Sequence, residues 1–143
     1  MNLAILDKAL AYIEEHPEQH EQAVWAEKVS LPDERIEEFE ARTCGSSMCL
    51  AGHIAVLAGG QIDWPKAEWT VDSDGLEGRL ESYGEYVFTP SGERMAIWTF
   101  AQQVLGIGLV TANALFSATN KLADLQAMRD ALAADENLLL IAQ

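Results

Sequence analysis

Residues 46–58 read Ser-Ser-Met-Cys-Leu-Ala-Gly-His-Ile-Ala-Val-Leu-Ala and form the most apolar stretch of the chain. At helical spacing Leu50, Ile54 and Leu57 make one stripe, Cys49, His53 and Val56 the next, and Ala51, Ala55 and Ala58 a third of small residues. A helix apolar on nearly every side belongs inside a protein, and the small stripe lets a neighbouring helix come close. Ser46 or Ser47 can cap its start and Gly59-Gly60 its end. The expected fold class is therefore mainly α: one compact helical domain over 1–143, built from several helices around a buried central helix at 46–58.

The flanks supply the other helices. Leu3, Leu6, Leu10 and Ile13 recur at helical spacing, with Asn2 placed to cap and Pro17 to stop, which predicts a helix over 3–15. Pro17 suits the first turn of a second short helix at 17–27 with Val24 and Trp25 inward. Ser30 as cap and Asp33 near the positive dipole end predict a surface helix over 32–42, with Ile36 and Phe39 as its narrow apolar seam. Between 61 and 90 the helical period breaks down. There 68–71 and 85–89 are rich in strand formers, leaving room for a small β-hairpin within 68–89. Thr89-Pro90 would open a helix at about 91–105 ended by Gly106. A two-turn helix comes next, around Leu109, Ala112, Leu115 and Phe116. Asn120 would cap a last helix through Leu122, Leu125, Met128 and Leu132. The apolar tail Leu138-Leu139-Leu140-Ile141 would pack on the domain or on a second copy, giving a homodimer.

The chain has 143 residues with 23 acidic and 9 basic side chains, a formal charge of −14. That balance opposes direct binding to nucleic acid, whose phosphates need Lys and Arg, and to anionic membrane surfaces. No apolar run approaches the ~20 residues of a membrane span. The first residues lack the basic start and cleavage site of a secretory signal. The expected setting is a reducing cytoplasm, with Cys44 and Cys49 as thiols.

One dense cluster can carry chemistry: Cys44-Gly45-Ser46-Ser47-Met48-Cys49-Leu50-Ala51-Gly52-His53. Cys49 and His53 are i and i+4 and share a helix face. With Cys44, and with His16 and His20, they offer donor types that zinc prefers. Against this stand the four-residue gap between the cysteines and Pro17, which interrupts the His16–His20 spacing. The other readings are a Cys44–Cys49 disulfide, a thiolate favoured by the helix dipole, and plain packing. Without a third, orienting group a Cys–His pair makes no nucleophile, so the chain reads as non-enzymatic and without a cofactor.

Ten of the acids lie within 14–40, against Lys28 and Arg35. They read either as a solvated face or as a mimic of DNA phosphates aimed at a cationic protein. Glu34, Glu37 and Glu38, with Trp64 and Trp69 if exposed, are the candidate partner-binding residues, since aromatic side chains dominate interface energetics.

Several of these residues also carry a family resemblance. Trp25, Cys44-Gly45, Cys49-Leu50-Ala51-Gly52, Leu105-Gly106, Leu115-Phe116, Asn120 and Leu122 to Leu125 resemble the pattern of a family of small proteins of actinobacteria and their phages with a Cys-Gly-x3-Cys-x-Ala-Gly motif. The resemblance covers about 100 residues, and the Cys-Gly…Cys-x-Ala-Gly piece is its specific part. In that family the position of His53 is often aromatic, which speaks against zinc. The acidic stretch 27–42 departs from the compact members, which keeps mimicry open. The resemblance implies a bacterial host cytoplasm and a phage or prophage gene, and it implies no reaction. The expected function is thus a non-enzymatic accessory protein that binds a host protein, for which a basic surface is the charge complement. The alternatives are a zinc or thiol site at Cys44, Cys49 and His53, and an acidic DNA mimic.

Overall fold

Asn2 caps the first helix and Pro17 follows its end, as expected. The computed structural model describes residues 1–31, 34–42, 46–71 and 78–142, with side chains as far as 134. In it, helix α1 runs Leu3–Glu15, and the Asn2 side chain accepts from the Ile5 amide at 3.2 Å. Its stripe of Leu6, Ala9, Leu10 and Ile13 is buried. Pro17 opens only a 3-10 turn, Pro17–Gln19, and the chain then passes through a turn at 22–23 beside residues 48–49. There the Glu21 amide donates to Met48 O and the Cys49 amide to Val24 O, both at 3.0 Å. No helix forms over 17–27.

The mainly helical expectation fails, because the irregular-looking segments build two antiparallel sheets. Strands β1 (Ala26–Val29), β2 (Ser46–Met48), β4 (Glu68–Val71) and β5 (Gly78–Gly84) form one sheet in the order β2-β1-β5-β4. Strands β3 (Gln61–Asp63), β6 (Tyr86–Phe88) and β7 (Arg94–Ala96) form the other, in the order β3-β6-β7. The fold is mixed α and β. The expected hairpin joins 68–71 to 85–89; instead β4 pairs with β5, and β6 belongs to the second sheet. Side chains alternate across a strand. The registers therefore put Ala26, Lys28, Met48, Leu80 and Ser82 on one face of the larger sheet. Glu27, Ser47, Thr70, Arg79, Glu81 and Tyr83 take the other, where Glu81 accepts from Arg79, Thr70 and Tyr83.

The central helix is shorter than 46–58. Residues 46–48 are β2, and α3 spans Leu50–Leu57 with Cys49 as its N-cap residue. Leu50, Ala51, Ile54 and Ala55 are fully buried, whereas Val56 and Leu57 reach solvent at the last turn. Helix α3 packs on α1 and on α4 (Ile97–Leu105), whose Ile97, Phe100, Ala101 and Leu105 complete the core. The expected start of α4 at Thr89-Pro90 is a turn between β6 and β7, in which Thr89 Oγ1 accepts from the Glu93 amide. Gly106 ends α4 at φ +68°, a left-handed cap.

The surface helix expected at 32–42 is α2, Ile36–Ala41. Ser30 does not cap it; its hydroxyl accepts from the Leu80 amide inside the sheet at 2.9 Å, and Asp33 lies outside the described residues. Helix α5 (Leu109–Leu115) is short, and α6 (Leu122–Ala142) packs on α1. Asn120 serves the end of α5, donating to Ala114 O at 2.6 Å and Leu115 O at 3.1 Å, while Asp124 accepts from the Lys121 amide at the start of α6. The side chains of the apolar tail 138–141 lie outside the described residues. No helix among the described residues is long and apolar enough to cross a membrane.

Candidate functional site

Cys49 closes the gap between β2 and α3 and is 1% exposed. Its thiol is free and donates to Trp25 O at 3.8 Å. Burial pushes that thiol up to about 11, well above the range of a reactive cysteine. Cys44 lies outside the described residues. His53, one turn into α3, is also buried, and its Nε2 donates to Gln19 O at 2.8 Å. Burial lowers the imidazole pKa, the nearby His20 and His16 lower it further, and the carbonyls of Gln19 and Met48 oppose the shift. Burial thus favours the neutral imidazole.

The structure also brings His16 and His20 to His53, which their spacing does not reveal. The 3-10 turn folds them back, so the Tyr12 ring stacks on His16 at 4.3 Å, lies 5.4 Å from His53, and His20 lies 6.4 Å from His53. Each imidazole engages its own partner. The His16 Nδ1 lies 3.1 Å from Tyr12 O, and the His20 Nε2 2.8 Å from Gln22 Oε1. Among the described residues no three His, Cys, Asp or Glu side chains are grouped to hold a metal ion.

Gln22 belongs to no motif in the sequence, yet it is the polar joint of the core. Its Oε1 accepts from the Leu50 amide at 3.1 Å, capping α3 from 28 residues away. Its Nε2 donates to Leu115 O at 3.1 Å and Ser117 O at 3.2 Å at the end of α5. Neither Ser46 nor Ser47 supplies that cap; Ser47 Oγ donates to Glu18 O.

The acidic candidates separate. Glu34 forms a two-pronged pair with Arg42, with Nε to Oε2 at 2.8 Å and Nη2 to Oε1 at 3.2 Å. The Arg42 guanidinium, helped by the Leu31 amide, holds its carboxyl below the usual carboxylate range. Arg42 also donates to Val29 O at 2.7 Å, so this clasp ties α2 to the end of β1. Glu34 is thus engaged within the molecule. Glu37 and Glu38 stand in solvent on α2. Trp64 is half-buried, whereas Trp69 on β4 is 66% exposed.

Trp64 covers a residue that the sequence presents only as one base in an acidic zone. Lys28 sits at the middle of β1, opposite Ser46 on one side and Ser82 on the other, and is 2% exposed. Its Nζ donates to Arg42 O at 3.2 Å and lies 4.9 Å from the centre of the Phe39 ring and 5.1 Å from that of Trp64. No carboxylate pairs with it among the described residues. Burial lowers its amine pKa, the Arg42 charge adds to this, and Glu34 and Glu40 oppose it. A cavity of about 210 Å³ opens beside it, with Trp64, Phe39, Lys66 and Glu40 in its wall. Ser82 Oγ donates to Pro65 O at 2.8 Å and pins the loop that carries Trp64 and Lys66. Buried ammonium groups without an anion are costly, which makes this a chemically distinctive place among the described residues.

Comparison with protein-family models, with curated proteins and with solved structures gives no match for this chain.

Proposed function

We propose that the protein is a non-enzymatic accessory protein of a bacterial cytoplasm, of phage or prophage origin, that acts by binding a host protein with a basic surface. The carrying observation is Trp69. It stands 66% exposed on β4, the last strand of its sheet. Its ring covers Gly78, where an added Cβ would come within 2.3 Å of Cζ2, so the side chain is braced before any partner arrives. A braced exposed tryptophan on a strand with no outer neighbour among the described residues suits a partner that adds a strand and buries the ring. Val71, half exposed on the same face, extends the contact.

Charge selects the partner's sign. The chain carries −14, and Glu68 on β4 and Glu37 and Glu38 on α2 are exposed. Complementary charge speeds encounter and rejects acidic partners. The DNA-mimic alternative has less support, because Glu34 is closed on Arg42 and drops out of any phosphate-like row. A chemical role at Cys49 and His53 has less support as well. Each is engaged with a backbone carbonyl, and burial favours the protonated Cys49 thiol.

The test uses the full chain as bait in host lysate, beside Trp69→Ala. A partner recovered by the wild type, lost with Trp69→Ala and released by salt supports the reading. Retention by Trp69→Ala sinks the β4 contact, and competition by duplex DNA replaces it with mimicry.

A further inference from the structure

We propose that the cavity at Lys28 is a binding site for a small carboxylate with a flat apolar body. Lys28 lies at the floor of that cavity with one carbonyl and two ring faces around its ammonium, and no carboxylate among the described residues pairs with it. Lys66 adds a second ammonium to the wall, for which no ion pair is found among the described residues, and Glu40 adds one negative charge. The lining therefore holds a net single positive charge, on a chain whose total is −14. The remaining wall is Phe39, Trp64 and Pro65, which offer flat apolar surface, and Ser82, whose hydroxyl is engaged with Pro65 O; none adds a further anion. A volume of about 210 Å³ equals that of roughly seven waters at about 30 Å³ each, which suits a ligand no larger than a single-ring acid. A monoanion meets the charge, and a planar ring meets the walls.

The cavity is built before the ligand comes. Ser82 fixes Pro65, and the Glu34–Arg42 pair fixes the ends of α2 that place Phe39. Preorganised walls lower the ordering cost of binding.

Benzoate is the probe, with benzamide as its uncharged isostere and acetate and inorganic phosphate as anions lacking the ring. Binding to the full chain is followed by amide chemical shifts. Saturable benzoate binding in the millimolar range or tighter, with shifts centred on Lys28, Trp64, Lys66 and Ser82, is expected, and benzamide, acetate and phosphate should each bind about tenfold weaker or not at all. Lys28→Met should remove binding, and Lys66→Met, on the open side of the cavity, should weaken it about threefold or more without touching the core. Absence of saturable benzoate binding, equal binding of benzamide, preference for phosphate, or benzoate affinity unchanged in Lys66→Met would each overturn the proposal, and so would a folded Lys28→Met that still binds.

Discussion

The Lys28 ammonium lies 4.9 Å from the centre of the Phe39 ring, on the inward face of a central strand where an aliphatic side chain would serve packing better. A desolvated cation on an aromatic face gains about 2 kcal/mol. Taking an ammonium out of water without a partner anion costs several kcal/mol. The desolvation cost exceeds the gain from the rings. Lys28→Met keeps most of the length of the side chain and removes the charge, so it should raise stability by about 1–3 kcal/mol. A higher urea midpoint at unchanged slope is the expected measurement. A lower midpoint would show that the two rings more than offset the cost of burial.

His53 sets a second expectation, in the pH dependence of stability. An unfolded imidazole titrates near 6.5, and burial holds the folded one below that value. Between the two values the unfolded chain binds the extra proton, so stability rises with pH. The contribution of His53 is complete above pH 6.5 and is lost as pH falls from there through the folded value. Its slope cannot exceed about 1.4 kcal/mol per pH unit, the limit for one proton. Asp7, Glu34 and Glu81, whose carboxyls are held low, act in the same direction but only below about pH 4.5, and Glu27, pushed up by burial, acts in the opposite one. Comparison with His53→Gln cancels these. The glutamine amide can still donate to Gln19 O but does not titrate. Urea midpoints at pH 7.5 and 5.5 should differ less in His53→Gln than in the wild type; equal differences would assign the effect elsewhere.

How much of the fold shows in the sequence depends on the length and chemistry of each element. Helix α1 is legible because Leu6, Leu10 and Ile13 repeat over three turns with Asn2 and Pro17 at the ends. The core of α3 and the Gly106 cap are legible for similar reasons. The sheets are not. Strand β1 is four residues long, and its buried centre is Lys28, so inward and outward positions do not alternate apolar with polar. Strand β5 buries Glu81 and Ser82 beside Leu80 and reads as a polar loop. Strand β2 merges with the helix pattern because Met48 and Cys49 are as apolar as residues 50–58. The candidate site is hidden for the same reason: Lys28, Phe39 and Trp64 come together only once β1, α2 and the loop after β3 are in place. The cap of α3 is expected from Ser46 or Ser47 and comes from Gln22, which no local pattern could indicate.

That remote cap carries a third prediction. Gln22 satisfies the Leu50 amide at one helix start and the Leu115 carbonyl at one helix end, both inside the core. Removing the amide leaves the buried Leu50 amide without this partner, which costs about 1–3 kcal/mol, whereas Leu115 O keeps the Asn120 donor. Gln22→Ala should therefore lower stability by about 2–5 kcal/mol, cavity included. Gln22→Glu keeps the acceptor for Leu50 and His20 but places an oxygen against Leu115 O and Ser117 O, so it too should destabilise, and more at high pH than at low. Thermal melts of both variants at pH 7.5 and 5.5 check this. A Gln22→Ala protein as stable as the wild type would mean that water replaces the bond to the Leu50 amide.

Gly52 tests the close seam between α3 and the segment before β1. A Cβ built on it would lie 2.5 Å from Trp25 O and 2.8 Å from Met48 Cβ. Neither neighbour can yield cheaply. The Trp25 carbonyl also accepts the Cys49 thiol, and Met48 is paired to Ala26 in the sheet. Alanine would gain up to about 1 kcal/mol over glycine from helix propensity alone. The clash is expected to exceed that gain, because overpacking a tight core costs about 1–3 kcal/mol and here the obstacle is backbone. Gly52→Ala should thus unfold at lower urea by a net of about 1–2 kcal/mol. The same substitution should loosen the Cys49 thiol, which the wild type keeps buried, so that alkylation of Cys49, read by peptide mass, becomes faster. Stabilisation by Gly52→Ala would show that α3 can slide outward at no cost, and that the seam is not the tight joint its distances describe.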